Sequence, residues 1–116
     1  FEAVTFSFTS GRFASPLLPG GVQTVKVSDD RRGEENVCRP SVLCGLLECR
    51  RHNQDNKSTA ATGGGLRLYE TATVFGQRGE ETLQRQTLGL LIDVPAEGKA
   101  FDRQQAGLRQ VRGVIE

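Results

Sequence analysis

Apolar and polar residues alternate over the first stretch of the chain. Val4, Phe6 and Phe8 fall on one parity and Thr5, Ser7 and Thr9 on the other. A period of two predicts a half-buried strand with Val4, Phe6 and Phe8 turned to the core. Two prolines and three glycines between Gly11 and Gly21 break the pattern into a loop, from which Phe13, Leu17 and Leu18 are expected to tuck inward. A short strand over 22–27 comes next and ends in a charged turn. Further along, 66–75 (LRLYETATVF) is rich in strand formers, and Leu88, Leu90, Ile92 and Val94 alternate strictly, which predicts two more strands. After Pro95, Phe101, Leu108 and Ile115 stand seven apart with Gln104 and Val111 between them, a helical stripe interrupted by Gly107 and Gly113.

One segment resists a period. Over 40–52, Val42, Leu43, Leu46 and Leu47 recur at helical spacing behind Pro40 and Ser41, which suit a helix start. Gly45 weakens that reading, and an internal echo opposes it. Arg32-Gly33-Glu34-Glu35 recurs as Arg78-Gly79-Glu80-Glu81; glycines and a strand-forming run precede each copy, and Gly45-Leu46-Leu47 after the first answers Gly89-Leu90-Leu91 after the second. A duplicated strand-turn-strand unit, 20–51 and 63–95, would make both RGEE segments hairpin connections and 40–52 a strand. Chance recurrence of a common charged tetrapeptide would leave the helix. Sequence alone leaves both readings open. The fold expected is one β-rich domain over 1–116, mainly β with a C-terminal helix, a small sandwich or open barrel of two related hairpins, with a flexible polar loop at 53–65.

Composition narrows the function classes more than it names one. A chain of 116 residues is long enough to fold without staples, and 14 glycines against one tyrosine and no tryptophan imply many turns and few aromatics in the core. Fifteen basic and 14 acidic residues, spread throughout, leave a net charge of +1, which counts against a nucleic-acid partner. No apolar run is long enough to span a bilayer. Asn56-Lys57-Ser58 is an N-glycosylation sequon.

All three cysteines and the one histidine lie within VCRPSVLCGLLECRRH. Cys38, Cys44, Cys49 and His52 supply the donors of one tetrahedral zinc site, at a spacing C-x5-C-x4-C-x2-H. That spacing resembles the Cys3His zinc fingers. It is one residue short before the histidine and lacks the aromatics on which such fingers stack RNA bases, so the resemblance implies zinc more than RNA contact. The same cysteines are disulfide candidates, but a helix over 44–49 would hold Cys44 and Cys49 too far apart to bond. A third reading makes them small buried hydrophobes.

Other clusters are weaker. Glu34/Glu35 and Glu80/Glu81, with Asp29/Asp30, offer paired carboxylates for hydrolysis, but Arg31, Arg32 and Arg78 sit among them. Arg103, Arg109 and Arg112, with Arg50, Arg51 and Lys57, could meet phosphates, although Arg109 and Arg112 oppose the apolar stripe as a solvated face does. No phosphate loop, dinucleotide fingerprint or nucleophile elbow is present. The resulting expectation is a non-enzymatic structural or interaction module, secreted, disulfide-bonded and glycosylated or else a subunit of an assembly, with a protein partner or self-association and no cofactor. A zinc-stabilised module contacting nucleic acid or protein is the alternative.

Overall fold

Two twelve-residue strands, β4 (Arg67–Arg78) and β5 (Glu81–Ile92), pair antiparallel without interruption from Arg67↔Ile92 to Arg78↔Glu81. Gly79 and Glu80 make the turn, with Gly79 at φ 59°, the left-handed region that a two-residue hairpin demands. The computed structural model describes residues 1–28, 30–55, 65–94 and 99–115. Before the hairpin come β1 (Phe8–Thr9), a short helix α1 (Gly11–Ala14), β2 (Val25–Lys26), β3 (Val37–Cys38) and a long helix α2 (Leu43–Asp55); α3 (Ala100–Ile115) comes after it. The short strands form a second antiparallel sheet in the order β1-β3-β2. The expected class therefore stands: two antiparallel sheets with a C-terminal helix, in a small sandwich-like arrangement with no closed barrel.

Both RGEE segments sit at hairpin connections. The first joins β2 to β3, and Gly33 there has φ 57°, close to the 59° of Gly79. The two copies then diverge, since the first leads through β3 into α2 and the second directly into β5. Residues 53–55 of the expected loop continue α2, and 56–64 lie outside the described residues.

Segment 40–52 is helical from Leu43 onward. Ser41 Oγ accepts the Leu43 N–H at 3.2 Å and Val42 O accepts the Leu46 N–H at 3.1 Å, so Ser41 caps a first turn that Pro40 helps to start. Gly45 is there for packing. A Cβ at that position would stand 2.1 Å from Thr5 Oγ1, and one at Gly89 would stand 2.1 Å from Val42 Cγ2. The helix thus approaches the N-terminal segment and the hairpin at glycines, and Val42 and Leu46 close a small core with Ala3, Leu66 and Leu68.

This close approach reverses three of the apolar alternations. Val4 and Phe6 are each 90 % exposed, while Phe8 is half-buried beneath the Arg32 guanidinium, 3.7 Å from the ring centroid. Thr5 occupies the inward position instead, drawn by hydrogen bonds to Arg39 and Glu70. On β5, Gly89 and Leu91 face α2, so Leu88 is 57 % exposed and Leu90 and Ile92 are only half-buried. On α3, Phe101, Leu108 and Ile115 also face outward, and the helix meets Val94 through Gly107, where a Cβ would stand 2.8 Å from Val94 Cγ1. Phe13 is likewise exposed rather than tucked in.

Two glycine-to-alanine changes should move stability in opposite directions. Gly113→Ala adds a Cβ with nothing within 4 Å and should raise stability by up to about 1 kcal/mol through helix propensity. Gly45→Ala gains the same propensity but overpacks against Thr5, at a cost of about 1–3 kcal/mol, and should lower it. Thermal melts of the two variants check this.

Candidate functional site

The most heavily partnered polar group is Arg39. It lies just before Pro40, with β3 on one side and the Ser41 cap on the other, so its backbone is extended and its side chain turns under β4. Its Nη1 donates to Glu70 Oε1 at 2.8 Å and to Thr5 Oγ1 at 2.9 Å, and its Nε donates to the Thr73 carbonyl at 3.1 Å. The side chains of Arg39 and Glu70 are only 6 % and 3 % exposed. Glu70 is satisfied from another side by Thr5, whose N–H donates to Oε1 at 3.1 Å and whose hydroxyl donates to Oε2 at 2.7 Å. Main-chain bonds extend the node, from Arg39 N to Ser7 O and from Phe75 N to Arg39 O, both 2.9 Å. Three distant stretches of chain are thereby held at one buried ion pair.

None of the candidate sites read from the sequence includes this node, although the chain carries a signal for it. Positions 66, 68, 70, 72 and 74 share the inward parity of β4, and Glu70 is the one charged residue in an otherwise apolar row. A carboxylate there implies a buried cation, and Arg39 is that cation.

The cysteine-histidine segment is arranged differently from a metal centre. Cys38 is in β3, while Cys44, Cys49 and His52 lie on α2. Among the described residues, no three His, Cys, Asp or Glu side chains converge as a metal ion would need, so Cys38, Cys44, Cys49 and His52 do not form a ligand cluster. All three cysteines are free thiols, and the helix separates Cys44 from Cys49 as its geometry requires. Burial pushes each thiol pKa above its ordinary value. At Cys38 the Arg32 charge partly opposes this, and at Cys49 the Glu70 and Glu48 charges add to it. Cys44, Cys49 and His52 instead line a groove of about 400 Å³ between α2 and the N-terminal segment, bordered by Val4, Phe6 and Phe8.

The carboxylate pairs stay apart and exposed, Glu34/Glu35 in one turn and Glu80/Glu81 in the other, with Asp29 outside the described residues. Arg50 pairs with Asp93, fastening α2 to the end of β5, while Arg109 and Arg112 are exposed on α3. Lys57 and Asn56 lie outside the described residues.

Comparison with known proteins gives this geometry a context. The family model described as the phenylalanyl tRNA synthetase beta chain CLM domain matches residues 1–116. The chain belongs to this family. A phenylalanine–tRNA ligase beta subunit from Oleidesulfovibrio alaskensis is 30% identical over 121 residues, covering 99% of this chain and 14% of the relative. Beta subunits from Cereibacter sphaeroides, 34% identical over 86% of this chain and 12% of the relative, and Coxiella burnetii, 32% over 78% and 11%, are similar too. The chain spans about a seventh of the length of these relatives.

Family membership corrects several expectations. The relatives are parts of a ligase, so the non-enzymatic reading is overturned, and what remains of it is a domain of an assembly subunit. Secreted placement fails for the same reason, because tRNA ligases belong to the translation machinery. The disulfide-bonded and glycoprotein descriptions go with it, and the three thiols are unpaired. Among the described residues, no helix is long and apolar enough to cross a membrane.

Two outcomes test the node and the thiols. Removing one partner, as in Glu70→Leu or Arg39→Met, should cost about 3–5 kcal/mol by stranding the other charge, and the double change should cost less than the two singles together; urea unfolding of the full cycle measures this. Alkylation should be slow at all three thiols in the native chain and complete after unfolding without reductant. A raised thiol pKa contributes stability below its unfolded value and loses it as pH climbs through the folded value, so the urea midpoint should fall at alkaline pH.

Proposed function

We propose that this chain is an assembly domain within the beta subunit of a phenylalanine–tRNA ligase, and that its open sheet face docks against the ligase's alpha subunit. The observation that carries this reading is the outward apolar face. Tyr69 pairs with Leu90 and Thr71 with Leu88, so Tyr69, Leu88 and Leu90 share the side of the hairpin opposite the row of Leu68, Gly89 and Leu91 that meets α2. Leu88 and Tyr69 are exposed there. A self-sufficient domain covers its most regular apolar rows, and uncovered rows mark a surface that a partner completes. Phe and Tyr are also enriched in the buried centres of such interfaces. The names of the relatives support a multi-subunit setting, and tRNA and phenylalanine are the substrates those names give for the whole ligase.

The test uses the full-length beta subunit co-produced with its partner subunit. Tyr69→Ser and Leu88→Ser should each weaken subunit association by about 10-fold or more, the loss expected for a truncated interface anchor, and should leave thermal stability of the beta subunit unchanged. Glu80→Ala, at the exposed hairpin tip, should have no effect. Full assembly with both apolar changes in place rejects the docking face.

A further inference from the structure

The inward positions of β4 and their partners on β5 share one face of the hairpin. On β5 that face carries Leu83, Arg85, Thr87, Gly89 and Leu91, with Arg85 the one charge in the row. The matching anomaly on β4, Glu70, is answered from within the chain by Arg39. Arg85 has no such answer: it stands opposite Val74, and among the described residues no carboxylate pairs with it. Helix α2 covers the end of this face remote from the turn, where Val42 and Leu46 meet Gly89. Over the other end lies only a turn at 19–22, closed by the Val22 N–H donating to Pro19 O at 3.2 Å. Gly76 lets that turn settle, since a Cβ there would stand 2.5 Å from Val22 Cγ1. Between the turn, Pro40 and the hairpin remains a cleft of about 310 Å³, and both Arg85 and Arg78 line it with Val74 and Leu83.

Small-molecule sites combine apolar walls, which take the body of a ligand, with a few polar groups that fix its orientation, and this cleft has both at the low end of their size range. Its rims at Pro19 and Pro40 are stiff, because proline fixes its own φ, so little ordering is left for binding to impose. Two guanidiniums select an anion. Glu81, opposite Arg78, is paired with neither of them. A phosphate monoester carries about two negative charges at neutral pH, and its oxygens match the donor fork of arginine, so one such group answers both side chains. A strand of RNA fits less well. Single-stranded RNA is held along an extended basic groove with successive stacking aromatics, whereas this cleft is short, Phe75 is its one aromatic among the described residues, and the chain has a net charge of only +1. We infer that the cleft binds a small organic phosphate, with the phosphoryl group at Arg85 and Arg78 and an apolar body against Pro19, Val22 and Leu83. The cleft lies on the face of the hairpin opposite Tyr69, Leu88 and Leu90, so it is separate from the proposed docking surface.

The experiment is done on the assembled ligase with two photoreactive compounds, 4-azidophenyl phosphate and 4-azidophenol, and the labelled peptides are mapped by mass spectrometry. The phosphate compound should label the segments 19–22 and 74–85, and unlabelled phenyl phosphate should suppress that labelling while phenol does not. Arg85→Gln should reduce it by about 10-fold or more, and Arg85→Lys, which keeps the charge, should reduce it less. Both changes should leave the thermal melt in place, because the Arg85 side chain is exposed and supports no packing. Equal labelling by the two compounds, labelling confined to other parts of the ligase, or labelling that survives Arg85→Gln overturns the inference. So does suppression by tRNA together with weakened tRNA binding in Arg85→Gln, which assigns the arginines to an RNA backbone instead. None of these outcomes bears on subunit association, which the changes at Tyr69 and Leu88 test by themselves.

Discussion

The buried pairing of Arg39 with Glu70 is the constraint on which the remainder of the molecule depends. Each charge would be costly to hide alone, and each is accepted here because the other stands 2.8 Å away. Satisfying them requires Thr5 to turn inward, the Thr73 carbonyl to face Arg39, and the backbone of Arg39 to bridge Ser7 and Phe75. A polar node of this sort admits little slack, since any strand slip would leave a buried charge unpartnered. It sets the register between the N-terminal segment and β4 more sharply than the small apolar core can.

Once Thr5 is inward, Val4 and Phe6 must point outward, because side chains alternate along an extended segment. Thr5 in turn needs α2 to pass close, which Gly45 permits, and on the far side Gly89 gives way to Val42. The helix is seated by absences of side chain at two places and by Val42 and Leu46 between them. With Gly89 and Leu91 turned to the helix, Tyr69, Leu88 and Leu90 are left on the other side of the hairpin, and the proposed docking to a second subunit uses that face. The outer edge of β4 is bonded by the N-terminal segment, Gln23 and Arg39 at Arg67, Tyr69, Thr73, Phe75 and Gln77, whereas no backbone bond from a described residue reaches the far side of β5.

Much of the local structure is legible in the chain, and the site is not. Strand formers at 66–75 and the alternation at 87–94 mark the hairpin, and RGEE marks its turn, but the polar run Thr82–Gln86 hides the first half of β5 because a strand with an exposed face needs no apolar residues there. Cysteines and histidine draw attention by their chemistry, yet α2 spreads them along one helix and leaves Cys38 on a strand. The lone carboxylate at Glu70 in an apolar row is the informative anomaly, and its partner lies 31 residues away, a separation no periodicity reports.

By itself the amino-acid order determined periods, turns and caps: the strand propensity of β4, the left-handed glycines of the two hairpin connections, the heptad spacing on α3, and Ser41 ahead of α2. These are short-range matters, settled by dihedral preferences and neighbours a few residues apart. Tertiary structure alone decided which side of each pattern is inside. Apolar rows at Val4–Phe6 and Leu88–Leu90 would face inward in an isolated sheet, but a buried ion pair and two helix-seating glycines bind the opposite parity. The free energy of leaving a charge unpaired exceeds that of leaving a few apolar side chains in water.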